Sequence, residues 1–349
     1  MPHLPPTTGP DLSGFTTLGL GGPCRGLITV QSPADLAAIV GRDDLLVLGG
    51  GSNLVIADAG VDLTVVRIAI PGLRIDGDLV TIGAGVDWDT AVAELVAAGR
   101  CGLGPLSGIP GSTGATPVQN VGAYGTEVGD LLHEVTLFDR VTGAITAVPA
   151  AQLGLGYRTS VLRGSARHVV TAVTFRLPAD PQPVRYAELA RVLGVQVGET
   201  APEAEVRTAV LELRRSKGMV LDPTDADTRS AGSFFTNPIL DPAAAGQVDA
   251  RIRDRCGPDT SYPRYPAGED GELVKLSAAW LIERAGFHKG FEGPGGRVAV
   301  SGKHTLALTN RGAGSTADLL VLAREIRDGV LAAFGVELHP EPILVGVTL

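Results

Sequence analysis

Short apolar runs separated by glycine-rich turns dominate the first half of the chain, and few stretches show helical periodicity. Residues 26–30, 45–48, 54–56, 63–66 and 79–83 are apolar or alternating and too short for helices, so they are predicted strands. Ser32-Pro33-Ala34-Asp35 reads as a helix start, with Ser32 as N-cap, Pro33 at the first helical position and Asp35 in the first turn. Asp87-Trp88-Asp89 introduces an amphipathic helix that stops at Gly99. Residues 134–139 and 144–148, joined through Val141-Thr142-Gly143, predict a hairpin, and 168–177 a further strand. The stretch 178–198 is irregular, and a charged helix follows over 203–217. Beyond it, helices over 243–255, 277–285 and 316–334 alternate with strands over 297–300 and 305–309. Ser315 and Asp318 form a capping-box start for the last helix, and 336–345 is apolar enough to return into a core. The class is α+β, not a doubly wound sheet.

At 349 residues, two or three subdomains are expected. Hydrophobic content of 44% with 19% charged residues describes a soluble globular protein, and a net charge of −9 argues against a broad nucleic-acid or anionic-membrane surface. Cys24, Cys101 and Cys256 are far apart, with no C-x-x-C and no Cys/His cluster, so a reduced, cytoplasmic setting without a metal centre is expected. The start, Met1-Pro2-His3-Leu4-Pro5-Pro6, has no signal-peptide pattern, and no apolar run is long enough to span a bilayer.

Candidate chemistry centres on residues 102–125, which hold seven glycines and no charged residue. Between the glycines stand neutral hydrogen-bonders, Ser107, Ser112, Thr113, Thr116, Gln119 and Asn120. By itself this run fits a structural loop under tight turns as well as a cradle for a ligand with phosphates and a polar ring. The upstream turn Leu48-Gly49-Gly50-Gly51-Ser52-Asn53-Leu54 favours the cradle. It is not a Rossmann turn: Leu54 stands where G-x-G-x-x-G needs glycine, and no long helix follows. Nor is Ser301-Gly302-Lys303 a P-loop, because Arg297 and His304 occupy positions that must be Gly and Ser or Thr. There is no G-x-S-x-G, no H-E-x-x-H and no paired-carboxylate spacing. The residues alone reach a dinucleotide-like cofactor held by backbone.

Five motifs in one order go further: Leu48 to Leu54; Ile109-Pro110-Gly111-Ser112 running through Gly114, Ala115, Gln119, Asn120, Gly122, Ala123 and Tyr124 to Gly125; Gly156-Tyr157-Arg158; Ala231-Gly232-Ser233-Phe234-Phe235-Thr236-Asn237-Pro238; and His339-Pro340-Glu341. Together they resemble the UDP-N-acetylenolpyruvoylglucosamine reductase (MurB) family, over nearly the whole chain. The resemblance implies a two-subdomain FAD-binding fold of the vanillyl-alcohol-oxidase (PCMH) type plus a C-terminal α+β substrate domain. The corresponding division is 1–75, 76–214 and 215–349, with the last residues returning to the FAD site. It further implies non-covalent FAD and NADPH as reductant of UDP-N-acetylglucosamine enolpyruvate, in a cytoplasmic monomer of cell-wall precursor synthesis.

By the same resemblance, Gly49, Gly50, Gly51, Ser52, Asn53, Ser107 and the 109–125 motif hold FAD. Arg158 binds the substrate carboxylate, Ser233 donates the proton to the α-carbon, and Glu341 is the catalytic glutamate. An ionised carboxylate would repel the enolate, so Glu341 is expected to act in its protonated form. Tyr186 and Lys217 match positions that hold the diphosphate, and Tyr157, Asn237 and His304 further substrate contacts. The segment with Tyr186 implies the longer family type, which closes a tyrosine loop over substrate. Thr236 and His304 depart from the lysine and glutamine found in other members.

Overall fold

The structure, a computed structural model, describes residues 9–268 and 270–349; the N-terminal tail, 1–8, lies outside the described residues. The chain forms two compact units. One comprises Cys24–Gly51 and Asp62–Val220, the other Asp11–Pro23, Ser52–Val61 and Leu221–Leu349.

In the first unit, strand Val61–Ile68 lies between Cys24–Val30 and Leu45–Leu48, pairing in parallel with the latter from Leu45 opposite Thr64 to Leu48 opposite Arg67. A five-stranded antiparallel sheet runs in the order Ile145–Pro149, Leu132–Asp139, His168–Arg176, Leu79–Gly83, Leu73–Asp76. The inner strands alternate or are apolar throughout, and their inward residues Val80, Ile82, Val135, Val173 and Phe175 are fully buried. Helix α1 (Trp88–Ala97) starts where Asp87 accepts a hydrogen bond from Thr90 N–H. Trp88 at its first turn is buried against Phe175 and donates its indole N–H to Leu106 O at 2.9 Å. Pro33–Ile39, expected as a helix, winds as a short 3-10 segment. Inside the stretch expected to be irregular is helix α2 (Ala187–Leu193), which is too short to show periodicity. Helix α3 (Glu203–Ser216) follows. The sheet's edge strand Leu73–Asp76, absent from the predicted strands, is only four residues long and too short to show a clear alternation.

The second unit has its own core, built around helices α4 (Pro242–Cys256), α5 (Ala278–Arg284) and α6 (Thr316–Phe334). Strand Ala307–Asn310 lies between Ser230–Ser233 and Val298–Val300, all antiparallel, and Leu273–Leu276 lies between Ile239–Leu240 and Arg264–Ala267. Helix α6 starts at the expected capping box, Ser315 Oγ accepting from Asp318 N–H at 3.0 Å. The apolar C-terminal stretch returns as strand Ile343–Val345, parallel to Leu54–Ile56. Asp58, just beyond Ile56, accepts from the N–H groups of Thr316 and Ala317 at 2.7 and 2.9 Å. These pairings join 52–61 to the C-terminal residues, and Thr17 Oγ1 on Ser230 O at 2.6 Å with Asn310 Nδ2 on Leu18 O at 3.0 Å join 11–23 to them, so both group there and not with the rest of 1–75.

Candidate functional site

In the first unit the two glycine-rich turns lie directly on each other. A Cβ at Gly50 would sit 2.6 Å from Gly111 Cα, and one at Gly49 would sit 2.4 Å from Ser112 Oγ. Only glycine permits that approach, which makes a continuous uncharged backbone surface of Gly49, Gly50, Gly51 and the Gly111–Ala115 turn. Its side chains divide by role. Asn120 is committed to the protein: Nδ2 donates to Glu127 Oε2 at 2.6 Å and to Gly156 O at 3.2 Å, while Oδ1 accepts from Gly129 N–H at 2.8 Å. Thr113 donates to Val86 O and Thr116 to Thr113 O. Ser107 is wholly enclosed, and its Oγ has no partner among the described residues. Gln119 is buried, whereas Ala115 and Gly125 lie at the surface and Ile109, Pro110, Gly122, Ala123 and Tyr124 are half-buried.

The cradle is held by two carboxylates that the sequence reading missed. Glu203, the first residue of α3, accepts from Gly102 and Gly104 N–H at 2.8 and 2.6 Å. Its burial pushes the carboxyl up, against the pull of those two N–H groups. Asp89 in α1 accepts from Gly108 N–H at 2.6 Å and from both terminal nitrogens of Arg207 in α3 at 2.5 and 2.9 Å. Burial raises Asp89, but Arg207 and Gly108 outweigh it and hold the group below the ordinary carboxylate range.

Among the described residues, the non-glycine positions with positive φ are Asn120 at 44°, Tyr124 at 50° and Arg158 at 54°. Each such conformation costs on the order of 1–3 kcal/mol, and these outliers gather at functional sites. All three belong to the motifs singled out from sequence. Gly156-Tyr157-Arg158 docks on the end of the cradle, with Arg158 Nη2 donating to Gly122 O at 2.9 Å and its Cζ 5.4 Å from the Tyr157 ring centroid. Tyr124 meets Tyr186 edge-on, centroids 5.6 Å apart, and Lys217 Nζ lies 5.7 Å from the Tyr124 centroid. Burial pushes the Tyr124 phenol up to about 12. Arg214, also missed, donates to Met219 O, and its buried Nε has no partner among the described residues. No sequence signal separates it from its neighbour Arg215.

In the second unit the backbone brings Ser233 and Glu341 to one place. Ser233 ends its strand opposite Ala307, and the next residue, Phe234, accepts from Glu341 N–H at 2.9 Å and donates to Leu306 O at 2.7 Å. Phe235 bridges to Pro340, Thr236 N–H donates to His339 O, and Asn53 Nδ2 donates to Glu341 O at 3.4 Å. Ser52, preceding Asn53, is half-buried. A Cβ at Gly232, beside Ser233, would meet nothing within 4 Å, so space is open there. Asn237 Oδ1 accepts from Ala278 N–H at the start of α5 at 2.9 Å. His304 is half-buried, with its N–H on Ser301 Oγ at 3.2 Å. No group of His, Cys, Asp and Glu among the described residues is placed to hold a metal ion.

Two family profiles match the chain. One, described as an FAD binding domain, covers residues 24–148; the other, the C-terminal domain of UDP-N-acetylenolpyruvoylglucosamine reductase, covers 222–345. Proteins called UDP-N-acetylenolpyruvoylglucosamine reductase are similar over almost their full length. That of Saccharopolyspora erythraea is 59% identical over 99% of this chain and 97% of its own, and that of Thermobifida fusca is 52% identical over 97% of each. The solved structure of the reductase from Thermus caldophilus matches with a TM-score of 0.66 at 27% identity, over 96% of this chain and 97% of that one.

Proposed function

The chain belongs to the UDP-N-acetylenolpyruvoylglucosamine reductase (MurB) family, and from that premise we infer how its own residues carry the family's reaction. The reaction is the NADPH-dependent reduction of UDP-N-acetylglucosamine enolpyruvate to UDP-N-acetylmuramate, a step toward peptidoglycan, with non-covalently bound FAD. The stacked glycine turns fit that cofactor: they let backbone approach closely and carry no charged side chain within 102–125. Gly49, Gly50, Gly51, Gly111, Ser112 and Gly114 would hold it. Bound FAD supplies two-electron transfer from NADPH to the enolpyruvyl double bond.

Arg158 binds the substrate carboxylate as a permanent cation, its guanidinium oriented by Gly122 O and the Tyr157 ring. Ser233 gives its hydroxyl proton to the substrate α-carbon. A serine hydroxyl is a weak acid, but the enolate carbon is a strong base, so transfer proceeds once the distance is set. Glu341 acts in its protonated form, since an ionised carboxylate would repel the enolate. The observation that carries this assignment is the hydrogen bond from Glu341 N–H to Phe234 O, which seats the proposed acid beside Ser233. Tyr186 and Lys217 take the diphosphate, and Asn237 and His304 further parts of the substrate. No helix among the described residues is long and apolar enough to cross a membrane. From its family membership we place the enzyme in the cytoplasm, as a monomer.

Anaerobic stopped-flow absorbance at the flavin band tests this function. NADPH should bleach the band, and the enolpyruvyl substrate should restore it rapidly. Recovery only on admitting air would indicate an oxidase instead. In Ser233→Ala, bleaching should persist while recovery with substrate slows at least a hundredfold. Glu341→Gln, a neutral stand-in for the protonated acid, should keep measurable recovery, and its complete loss with FAD and substrate still bound would contradict the protonated role. Equal slowing of both phases would remove the assigned roles.

A further inference from the structure

The charge pair joining α2 to α3 bears on how Lys217 is held, and the inference rests on the reading of Lys217 as a diphosphate ligand. Lys217 is the C-cap of α3, and its Nζ donates to Glu188 Oε2 at 2.7 Å. Glu188 stands in the first turn of α2, two residues after Tyr186, the N-cap of the same helix. Lys217 also lies 5.7 Å from the centroid of Tyr124, the ring that meets Tyr186 edge-on. A short helix therefore presents one diphosphate candidate and, through Glu188, fixes the other.

A lysine ammonium is a point charge on a flexible four-carbon stem with three donors, so its position must be set by its neighbours. Here one donor is spent on Glu188, and the Tyr124 ring lies within cation–π range. We propose that Glu188 is a positioning residue for substrate binding, which holds the Lys217 ammonium beside Tyr124 and Tyr186 before the diphosphate arrives. Ordering Lys217 in advance removes an entropic penalty from binding. The same carboxylate repels the incoming anion, so its charge and its acceptor geometry act in opposite directions. Glutamine keeps the acceptor and drops the charge; alanine loses both.

The test uses the FAD-loaded full chain and the variants K217A, E188A, E188Q and E188A/K217A. The readouts are KM and kcat for the enolpyruvyl substrate at saturating NADPH, the calorimetric Kd of UDP-N-acetylmuramate, and Tm. E188A should raise KM and Kd about three- to tenfold with kcat within about twofold. E188Q should return both to within about twofold of the parent, and the double variant should bind no worse than K217A. If K217A weakens binding and E188A does not, the pair is a surface contact and the proposal falls. It falls also if E188Q is as weak as E188A, or if E188A lowers kcat and Tm together with binding. Unchanged binding in K217A would sink the reading of Lys217 itself.

Discussion

Glu203 is a buried carboxylate whose work is to accept two backbone N–H groups at the entrance of the glycine cradle. Its raised pKa means that the folded chain holds this proton more tightly than the unfolded chain does. The stability linked to it is present at low pH and is lost as pH rises through the folded value. Glu203→Gln keeps an acceptor without the buried charge. Its Tm should equal or exceed the parent's at pH 7.5, with the difference shrinking as pH falls toward the ordinary glutamate range. Glu203→Ala orphans both N–H groups and should cost about 1–3 kcal/mol in denaturant melts. Gly50→Ala is the sharpest test of the cradle, since its Cβ would strike Gly111. The purified variant should lose its flavin absorbance while keeping the far-UV circular dichroism of a folded chain.

Two helices owe their placement to acids outside their own sequence. Helix α6 has a local capping box, yet Asp58 adds acceptors for Thr316 and Ala317 N–H. Asp58→Ala should lower stability by about 1–2 kcal/mol, read from the urea midpoint, and Asp58→Asn should restore part of it. Asp89 ties α1 and α3 to Gly108. Its depressed pKa has the opposite linkage to that of Glu203: the stability it contributes is present above the ordinary aspartate value and is lost as pH falls through the folded value. Asp89→Asn should therefore destabilise at neutral pH and converge on the parent in strong acid, in thermal melts across that range.

The two units have separate hydrophobic cores, one around Trp88 and Phe175 and the other around Phe234, Phe235 and Phe334. The glycine turns proposed to hold FAD belong to the first. Loading the apo-protein should raise its Tm with FAD concentration, by about 2.7 kcal/mol of stability at a hundred times Kd. Scanning calorimetry with and without FAD measures this. A Tm independent of FAD would contradict binding to the folded state.

Local chemistry was legible from the residues. Capping at Asp87 and Ser315, the alternating inner strands and the glycine runs each depend on near neighbours, so they appear in sequence and again in the structure. The motifs also marked the positions where positive φ is found outside glycine. What sequence could not show are contacts between distant residues. The partnership of Leu54–Ile56 with Ile343–Val345, the seat of Glu341 beside Ser233, and the hooks from Asp89, Glu203 and Glu188 all join segments far apart in the chain. An acid has no periodicity, and nothing in its neighbours tells whether it will meet water, a lysine or two buried amides. Only the fold decides that, because burial and partner are properties of the place to which the residue is carried.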